Sequence, residues 1–344
     1  MEITGAIITG AAAAFLAAAA GSGVIAWAGP VDRPRERGSH KIPTPTSGGL
    51  GVIAGTSLGL WLFTALAPAP HSEVGKIAAA FGIAALLGLI GALDDLYDLG
   101  AKPKLLAQAI LSLLFAVFVA HIEAIPIWGA QTLMLGPILG VIGTALWLVV
   151  ATNAVNFMDG ANGLAPGTVC IALIAFAYAG FHGGDHALGG AALMTAAATL
   201  GFLPWNFPKG RLFQGDAGAL FSSFLLAALA VMGAGPSGRG PVFVFFVPLA
   251  LMPLLTDVLL TLLSRAQAKK KLFDAHKEHL YQRWLSKNGG SHVALAWRAY
   301  AATALFAGGA IALLSESPAL KVAGFLSGTV VAATVWAIFR RRCV

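Results

Sequence analysis

The sequence predicts an all-α, polytopic transmembrane helix bundle with about eleven spanning helices. Three observations lead to this fold class: the composition, the length of the apolar runs and the uneven distribution of the basic residues. Of the 344 residues, 58% are hydrophobic and 11% are charged, whereas an ordinary soluble domain has roughly 25% charged residues. A single soluble core could not bury so much apolar surface, so the composition favours a membrane protein.

The apolar runs have the length that a helix needs to cross the hydrocarbon core, about 17–25 residues. The first run is interpreted as a retained helix and not as a signal peptide, because Glu2 is the only charged residue before Asp32 and no basic segment precedes the run. The predicted spanning segments are residues 4–28, 48–68, 76–93, 104–121, 133–153, 165–181, 187–204, 217–234, 241–263, 293–314 and 319–339.

The basic residues predict an orientation with the N-terminus outside and the C-terminus inside. With the loops assigned alternately to the two sides, 18 of the 22 lysines and arginines fall on inside segments, a bias typical of the cytoplasmic side. The net charge of +7 indicates an anionic partner, and in a membrane protein we expect this to be anionic lipid or an anionic substrate and not nucleic acid. We expect one domain over residues 1–344, with the polar loops within 33–292 and two spanning helices over 293–344.

Two adjacent carboxylates, Asp94 and Asp95, end the third apolar run, and Asp98 follows them. Neighbouring carboxylates repel each other unless a divalent cation or a cationic group neutralises them. The alternative is an ordinary solvated helix end, although three aspartates within five residues count against it. The pair is therefore a candidate catalytic site in the second inside loop.

The third inside loop places a polar residue at every third position and contains no lysine or arginine. This spacing stacks amides and a carboxylate along one helix face. Such groups suit hydrogen bonding to a nucleobase or ribose, or a share in metal binding. A plain turn between two helices would explain the glycines of the loop but not its periodic amides. The polar positions are Asn153, Asn156, Asp159 and Asn162.

The fourth and fifth inside loops carry an aspartate and a histidine pair. Asp216 lies at the start of a spanning helix between glycines, where free N–H groups could meet a metal-bound phosphate, although a capping aspartate alone would be ordinary. His276 and His279 lie in a basic segment that suits diphosphate oxygens better than zinc, or that rests on anionic lipid. Asp257, inside the ninth apolar run, is either the floor of a cleft or a structural hydrogen-bond acceptor.

Taken in order, the five polar loops resemble those of the polyprenyl-phosphate N-acetylhexosamine-1-phosphate transferases, over about residues 40–284. His40 and Lys41 with residues 45–49 are similar to the first cytoplasmic motif of that family. Asp94 and Asp95 with Lys102 and Lys104 resemble its paired aspartates, residues 153–163 its Asn-rich loop, residues 213–218 its Gly-Asp motif, and residues 276–279 its basic histidine motif.

The resemblance implies a Mg²⁺-dependent enzyme, with Mn²⁺ as a substitute, that moves a HexNAc 1-phosphate from a UDP-sugar to undecaprenyl phosphate and releases UMP. It implies catalytic roles for Asp94, Asp95 and Asp216. The implied metal ligands are Asp95, Asp159 and Asp216. The implied substrate-binding residues are Lys41, Asn153, Asn156, Asp159, Asn162, Asn206, His276, His279 and Arg283.

Two positions depart from the family pattern. Asn162 stands where the family usually has Asp, so we expect it to support the site without acting as an essential carboxylate. Lys277 and Glu278 separate the two histidines, which resembles the branch that starts O-antigen and related glycans more than the phospho-MurNAc-pentapeptide translocase. The resemblance further implies a protein of the bacterial inner membrane with its active site on the cytoplasmic face. A homodimer is compatible with it.

A polytopic transporter or flippase of lipid-linked sugars is the alternative hypothesis. Such a protein would carry its ionisable residues near the bilayer midplane. Here only Asp257 and Glu123 approach that description, whereas eight acidic residues lie in inside loops. The sequence therefore favours the enzyme.

Overall fold

The computed structural model describes residues 3–32, 42–67, 71–128, 131–235, 243–271 and 276–343. Lys41, a predicted substrate contact, lies outside the described residues. The helices are α1 Ile3–Ala28, α2 Gly49–Leu66, α3 His71–Tyr97, α4 Ala101–Phe118, α5 Gly136–Phe157, α6 Leu164–His182, α7 His186–Asn206, α8 Gly215–Ala234, α9 Phe246–Ala250, α10 Met252–Gln267, α11 Leu280–Lys287, α12 His292–Ala312 and α13 Pro318–Arg342. Strands β1 Val31–Asp32 and β2 Thr44–Pro45 form one antiparallel pair, and β3 Ala124–Trp128 and β4 Gln131–Met134 form another.

Within these ranges, nine helices are long and apolar enough to cross a membrane, namely α1–α8 and α13. This confirms the all-α polytopic fold class. The predicted ninth span is divided into α9 and α10 at Leu251, just before Pro253, which lacks the N–H that an uninterrupted helix would use. The predicted tenth span forms α12, which contains the charged Arg298.

The β3–β4 hairpin is an element that the sequence analysis did not predict. It joins α4 to α5, and Ala124 lies opposite Met134 in its register. We predicted that the fifth span begins at residue 133, whereas α5 begins at Gly136. The apolar stretch that we assigned to a helix start therefore belongs partly to a strand, because a short apolar run fits either structure.

Small residues let the helices around α8 approach each other closely. A Cβ on Gly49, at the start of α2, would lie 2.0 Å from the backbone nitrogen of Gly218 in α8. A Cβ on Gly55 would lie 2.5 Å from the carbonyl oxygen of Ala14 in α1. Close backbone packing of this kind is how transmembrane helices associate in the absence of water, and it places α8, the most buried span, at the centre of the bundle.

Hydrogen bonds gather the polar loops, which we predict to lie inside, at one end of the bundle. The backbone N–H groups of Gly48 and Gly49, at the start of α2, donate to the carbonyls of Phe213 and Gln214, just ahead of α8. Lys104 of α4 contacts Asp94 of α3 and Asp216 of α8, and the Gly163 N–H ahead of α6 donates to Asn206 at the end of α7. This end of the bundle contains most of the polar residues that the sequence analysis singled out.

Candidate active site

The ends of three helices, α3, α4 and α8, meet at Asp94 and Asp95 in the last turn of α3. The Lys104 ammonium in the first turn of α4 lies 2.5 Å from Asp94 Oδ2 and 2.6 Å from Asp216 Oδ2. All three side chains are mostly shielded from solvent, so their attraction is stronger than it would be at an exposed surface. We call Asp94, Asp95, Lys104 and Asp216 the carboxylate junction.

Asp95 connects the carboxylate junction to the start of α8 and to Ser47. Its Oδ1 accepts the backbone N–H of Asp216 at 3.0 Å, and its Oδ2 accepts the Ser47 hydroxyl at 2.8 Å. Gly215 has a φ of 68°, and a Cβ there would lie 2.1 Å from Asp95 Oδ2. A glycine is therefore needed at this position both for the left-handed backbone and for the approach of the carboxylate.

Lys104 is a site residue to which the sequence analysis gave no role of its own. Its partners Asp94 and Asp216 lie 10 and 112 residues away along the chain, so a local pattern does not reveal the contacts. One signal was available. A lysine in the first turn of a helix faces the positive end of the helix dipole, and its presence there indicates an anionic partner.

Asp159 adds a carboxylate from the turn between α5 and α6. Burial raises the pKa of Asp159 well above its ordinary value, and a contact from the Gln214 side chain opposes the shift. The negative charges of Asp216 and Asp95 raise the pKa of Asp159 further. These charges show that the structure brings Asp159 near the carboxylate junction.

The donor chemistry of this cluster fits a hard divalent cation. The Lys104 ammonium contacts the carboxylates of Asp94 and Asp216, and the charges of Asp95 and Asp216 act on Asp159. Oδ1 of Asp94 is buried without a hydrogen-bond partner among the described residues. Carboxylate oxygens are the ligands that Mg²⁺ prefers. Within the described ranges, no three His, Cys, Asp or Glu residues are grouped as a ready-made ligand set. The residues thus suit the ion chemically, but the ligand set is not preassembled.

Three of the four predicted asparagines form hydrogen bonds that connect helices and loops. Asn153 donates to Gln108 of α4, while Asn206 is buried, accepts from the Gly163 N–H at 2.6 Å and donates to the Leu212 carbonyl at 3.0 Å. These two amides hold helices and loops together. Asn162 does so as well, because its backbone N–H donates to His292 Nδ1 at 3.0 Å and its side-chain amide donates to the Pro208 carbonyl at 3.4 Å.

Asn156 differs from the other three asparagines. Its side chain is half-buried, and its amide has no hydrogen-bond partner among the described residues. Three residues further on lies Asp159. Of these four asparagines, Asn156 is therefore the one left available to a ligand, and the substrate-binding roles of the other three stay predictions.

The histidine segment, residues 276–287, packs against the carboxyl end of α5. The His279 ring stacks on Phe157 with centroids 6.0 Å apart and lies 4.9 Å from the His276 ring. The Tyr281 hydroxyl donates to the Phe157 carbonyl at 3.1 Å, and a Cβ on Gly160 would lie 2.1 Å from that hydroxyl oxygen. The loop after α5 and the histidine segment thus form one wall.

The two imidazoles are uncharged near neutral pH. Burial, followed by the charges of His279 and Arg265, lowers the pKa of His276 to about 4. Burial also lowers the pKa of His279, whose Nδ1 is buried without a partner among the described residues. The positive charge of this wall therefore comes from its arginines and lysines, and the histidines provide neutral hydrogen-bonding groups.

Glu278 and Arg265 are two further residues whose roles the sequence analysis missed. The nearly buried Arg265 guanidinium contacts the Glu278 carboxylate and donates to the Lys271 carbonyl at 2.6 Å. Lys270 Nζ lies 3.1 Å from Glu278 Oε2, and Arg283 Nε donates to the Glu278 carbonyl at 3.1 Å. Glu278 therefore gathers three cationic side chains beside the two histidines.

Comparison with known proteins gives the class to which this fold and site belong. The family model described as "Glycosyl transferase family 4" matches residues 77–234, a range that includes the whole carboxylate junction. The chain is a member of this family of membrane transferases. This confirms the family resemblance that the five polar loops indicate.

Identity and coverage against individual members of the family indicate the branch to which the chain is most similar. The decaprenyl-phosphate N-acetylglucosaminephosphotransferase of Mycobacterium tuberculosis is 33% identical over 339 residues, which cover 91% of this chain and 83% of that protein. A probable undecaprenyl-phosphate N-acetylglucosaminyl 1-phosphate transferase of Bacillus subtilis is 30% identical over 75% of this chain and 70% of its own length. The phospho-N-acetylmuramoyl-pentapeptide-transferase of Streptococcus thermophilus is 30% identical over only 56% of this chain.

The chain belongs to the polyprenyl-phosphate N-acetylglucosamine-1-phosphate transferases of this family. The more extensive similarity to that branch agrees with the separated histidines of the fifth loop. These comparisons give no support to the transporter alternative.

Proposed function

We propose that this chain transfers a HexNAc 1-phosphate from a UDP-sugar to a polyprenyl phosphate, releases UMP and thereby starts a lipid-linked glycan. The observation that carries the proposal is the carboxylate junction, where Lys104 joins the ends of α3 and α8 at the same end of the bundle as the histidine segment. The names of the M. tuberculosis and B. subtilis relatives both specify a polyprenyl phosphate, decaprenyl phosphate in one and undecaprenyl phosphate in the other.

An apolar cleft supports a polyprenyl acceptor. The cleft has a volume of about 470 Å³ and runs between α5, α8, α10 and α13. Trp147 and Val150 of α5 line it on one side, and Leu255 and Leu259 of α10 on the other. Its lining suits an isoprenoid tail, which transfers favourably from water to an apolar surface. The cleft includes Val150 and Leu260, which are the lining residues nearest in sequence to the predicted inside ends of α5 and α10.

The proposed chemistry is an in-line displacement at phosphorus. A phosphate oxygen of the acceptor attacks the β-phosphorus of the UDP-sugar, the new P–O bond forms and the bond to UMP breaks. Lys104 would offset the charge of the two phosphates as they approach, and Asp94 would orient the acceptor. Catalysis of this kind is mostly positioning and charge stabilisation.

The proposal includes Mg²⁺, with Asp159 and Asp216 as the residues that would hold it. When bound, the ion neutralises phosphate charge and polarises the phosphoryl group. Asp95 is also a predicted ligand, but both of its oxygens already accept hydrogen bonds from Ser47 and the Asp216 backbone. Asp95 therefore aligns the start of α8 in this structure, and its share in metal binding stays a prediction.

The histidine segment suits the diphosphate of the donor. Neutral His276 and His279 can donate hydrogen bonds, and Arg283 and Lys270 supply positive charge. Asn156 and Asp159, on the same wall as this segment, would contact the nucleotide. A UDP-HexNAc donor, the bacterial inner membrane and a cytoplasmic site are parts of the same proposal, as is a homodimer. The basic inside loops support the orientation.

The test is UMP release by purified protein supplied with UDP-GlcNAc, undecaprenyl phosphate and Mg²⁺. We expect Asp94→Asn, Asp95→Asn and Asp216→Asn to lose this activity while they remain folded. EDTA should abolish the activity of the unmodified chain, and Mg²⁺ or Mn²⁺ should restore it. Near-normal turnover in all three variants would contradict the proposed site.

A further inference from the structure

Asp257 lies in α10, inside the bundle, and only 4% of it is exposed. Its Oδ1 accepts the Leu280 backbone N–H at 2.7 Å, and its Oδ2 accepts the Tyr281 backbone N–H at 3.3 Å. The Trp336 indole N–H of α13 also donates to Oδ1 at 3.1 Å, and the Thr261 hydroxyl does so at 3.2 Å. The structure therefore supports the interpretation of Asp257 as a hydrogen-bond acceptor.

The contacts of Asp257 are unusual in what they join. A carboxylate inside a bundle is costly to desolvate and is retained only where several donors satisfy it. Here the donors come from three helices, α10, α11 and α13. Two of them are the first N–H groups of α11, which have no partner within that helix. Asp257 thus caps α11 from a different helix.

The cap determines where the histidine segment lies. His279 immediately precedes the first capped residue, Leu280, and Arg283 follows one turn later. The His279 ring is nearly buried, and its Nδ1 has no partner within the described part of the chain. A rotation or shift of α11 would therefore move both His279 and Arg283 relative to Phe157 and the loop after α5.

We propose that Asp257 is a positioning residue that holds α11 so that His279 and Arg283 meet the diphosphate of the donor. The proposal rests on the proposed function, because it assumes a UDP-sugar donor on this wall. Asp257 itself does not touch substrate. Asp257 also makes α13 part of the site's support through Trp336, although α13 lies beyond the polar loops in sequence.

The first experiment compares Asp257→Asn with the unmodified chain in UMP release. An amide offers only one acceptor oxygen, and its NH₂ group would face the N–H donors of α11. We expect the KM for UDP-GlcNAc to rise about tenfold or more while the KM for undecaprenyl phosphate changes less than about twofold. A general loss of structure would not separate the two KM values in this way.

A second variant removes the donor and keeps Asp257. Leu280 is the first residue of α11, where proline is tolerated, and His279 has φ of −60° and ψ of 145°, which is allowed before proline. Leu280→Pro should therefore fold and should raise the same KM, because it deletes the N–H that Asp257 accepts. Leu280→Ala is the matched control, since it shortens the side chain but keeps the N–H.

Hydrogen–deuterium exchange separates this proposal from the proposed function. In Asp257→Asn the Tyr281 amide should exchange about tenfold faster or more, whether or not the chain uses a UDP-sugar. Unchanged exchange, or equal effects on both KM values, would overturn the positioning role. If the unmodified chain released no UMP, the proposed function would fail, while faster exchange in the variant would still support the capping of α11 by Asp257.

Discussion

The carboxylate junction and the histidine segment lie at the same end of the bundle but are held in place in different ways. Backbone lies directly against backbone around the junction, since Gly49 contacts Gly218 and a Cβ on Gly91 would lie 2.5 Å from the Asp216 carbonyl oxygen. The histidine segment is held by side chains, chiefly Asp257 and Tyr281. The junction is thus fixed by packing, whereas the position of the segment depends on a few hydrogen bonds.

This difference has a consequence for substitutions. Changes at the junction should abolish either the chemistry or the fold, because close-packed helices leave no room to adjust. Changes in the histidine segment should weaken donor binding by the value of single hydrogen bonds.

The largest expected effect is that of Lys104→Gln on turnover. Loss of a cation placed between the two carboxylates and the reacting phosphates should reduce kcat about 10²–10³-fold. Lys102→Gln is the matched control, because Lys102 lies in the same helical turn but is exposed. The measurement is kcat for UMP release at saturating UDP-GlcNAc. A Lys104→Gln variant that was no slower than the control would contradict the role of Lys104.

The next effect is on stability. Gly49→Ala should destabilise the fold by about 2–3 kcal/mol or more, because the new Cβ meets the backbone of α8. At Gly82 in α3 a Cβ meets nothing within 4 Å, so Gly82→Ala should leave the fold unchanged or slightly stabilised. The thermal unfolding midpoint of both variants in one detergent is the readout. Equal midpoints would show that α2 and α8 are not in close contact.

The sequence predicted the spans well, because apolar runs of the right length are a local property. It also predicted Asp94, Asp95 and Asp216 as residues of one site, and the structure places them together. It could not reveal that Lys104 bridges two of them or that Asp257 caps α11. Such contacts join residues far apart in the chain, and hydropathy and spacing contain no information about which helices become neighbours.

Breaks in regular structure were the second kind of feature that the sequence analysis missed. The division of the ninth span at Leu251 and the β3–β4 hairpin both occur within apolar stretches that a window average treats as uniform. Pro253 was a visible sign of the first. Pro137 was a visible sign of the second, because proline favours the first turn of a helix and so marks the start of α5 beyond residues 131–134.

A smaller effect is expected from Tyr281→Phe in the histidine segment. The change removes the hydroxyl that donates to the Phe157 carbonyl and costs about 1 kcal/mol. We therefore expect the KM for UDP-GlcNAc to rise about fivefold, with kcat and thermal stability nearly unchanged. Tyr178→Phe, on an exposed face of α6, is the control. A drop in kcat of the size expected for Lys104→Gln would remove the distinction between the two regions.

The smallest expected effect concerns pH. The pKa of His276 falls from its ordinary 6.5 to about 4 in the folded chain, so the unfolded chain binds the proton more readily. His276 therefore contributes stability that is present above pH 6.5 and is lost as the pH falls toward 4. His276→Gln should lose less stability than the unmodified chain between pH 6.5 and 4. The effect should be small, because His276 is only half-buried, and parallel stability curves would contradict the pKa shift.

The fate of the β-phosphate tests the central claim most directly. UDP-GlcNAc labelled with ³²P at the β-phosphate is incubated with the purified chain, undecaprenyl phosphate and Mg²⁺, and the label is followed into the lipid and aqueous phases. Sugar-phosphate transfer predicts that the label enters the lipid in equal amount to the UMP released. Label retained in water-soluble UDP would show transfer of the sugar alone and would contradict the account.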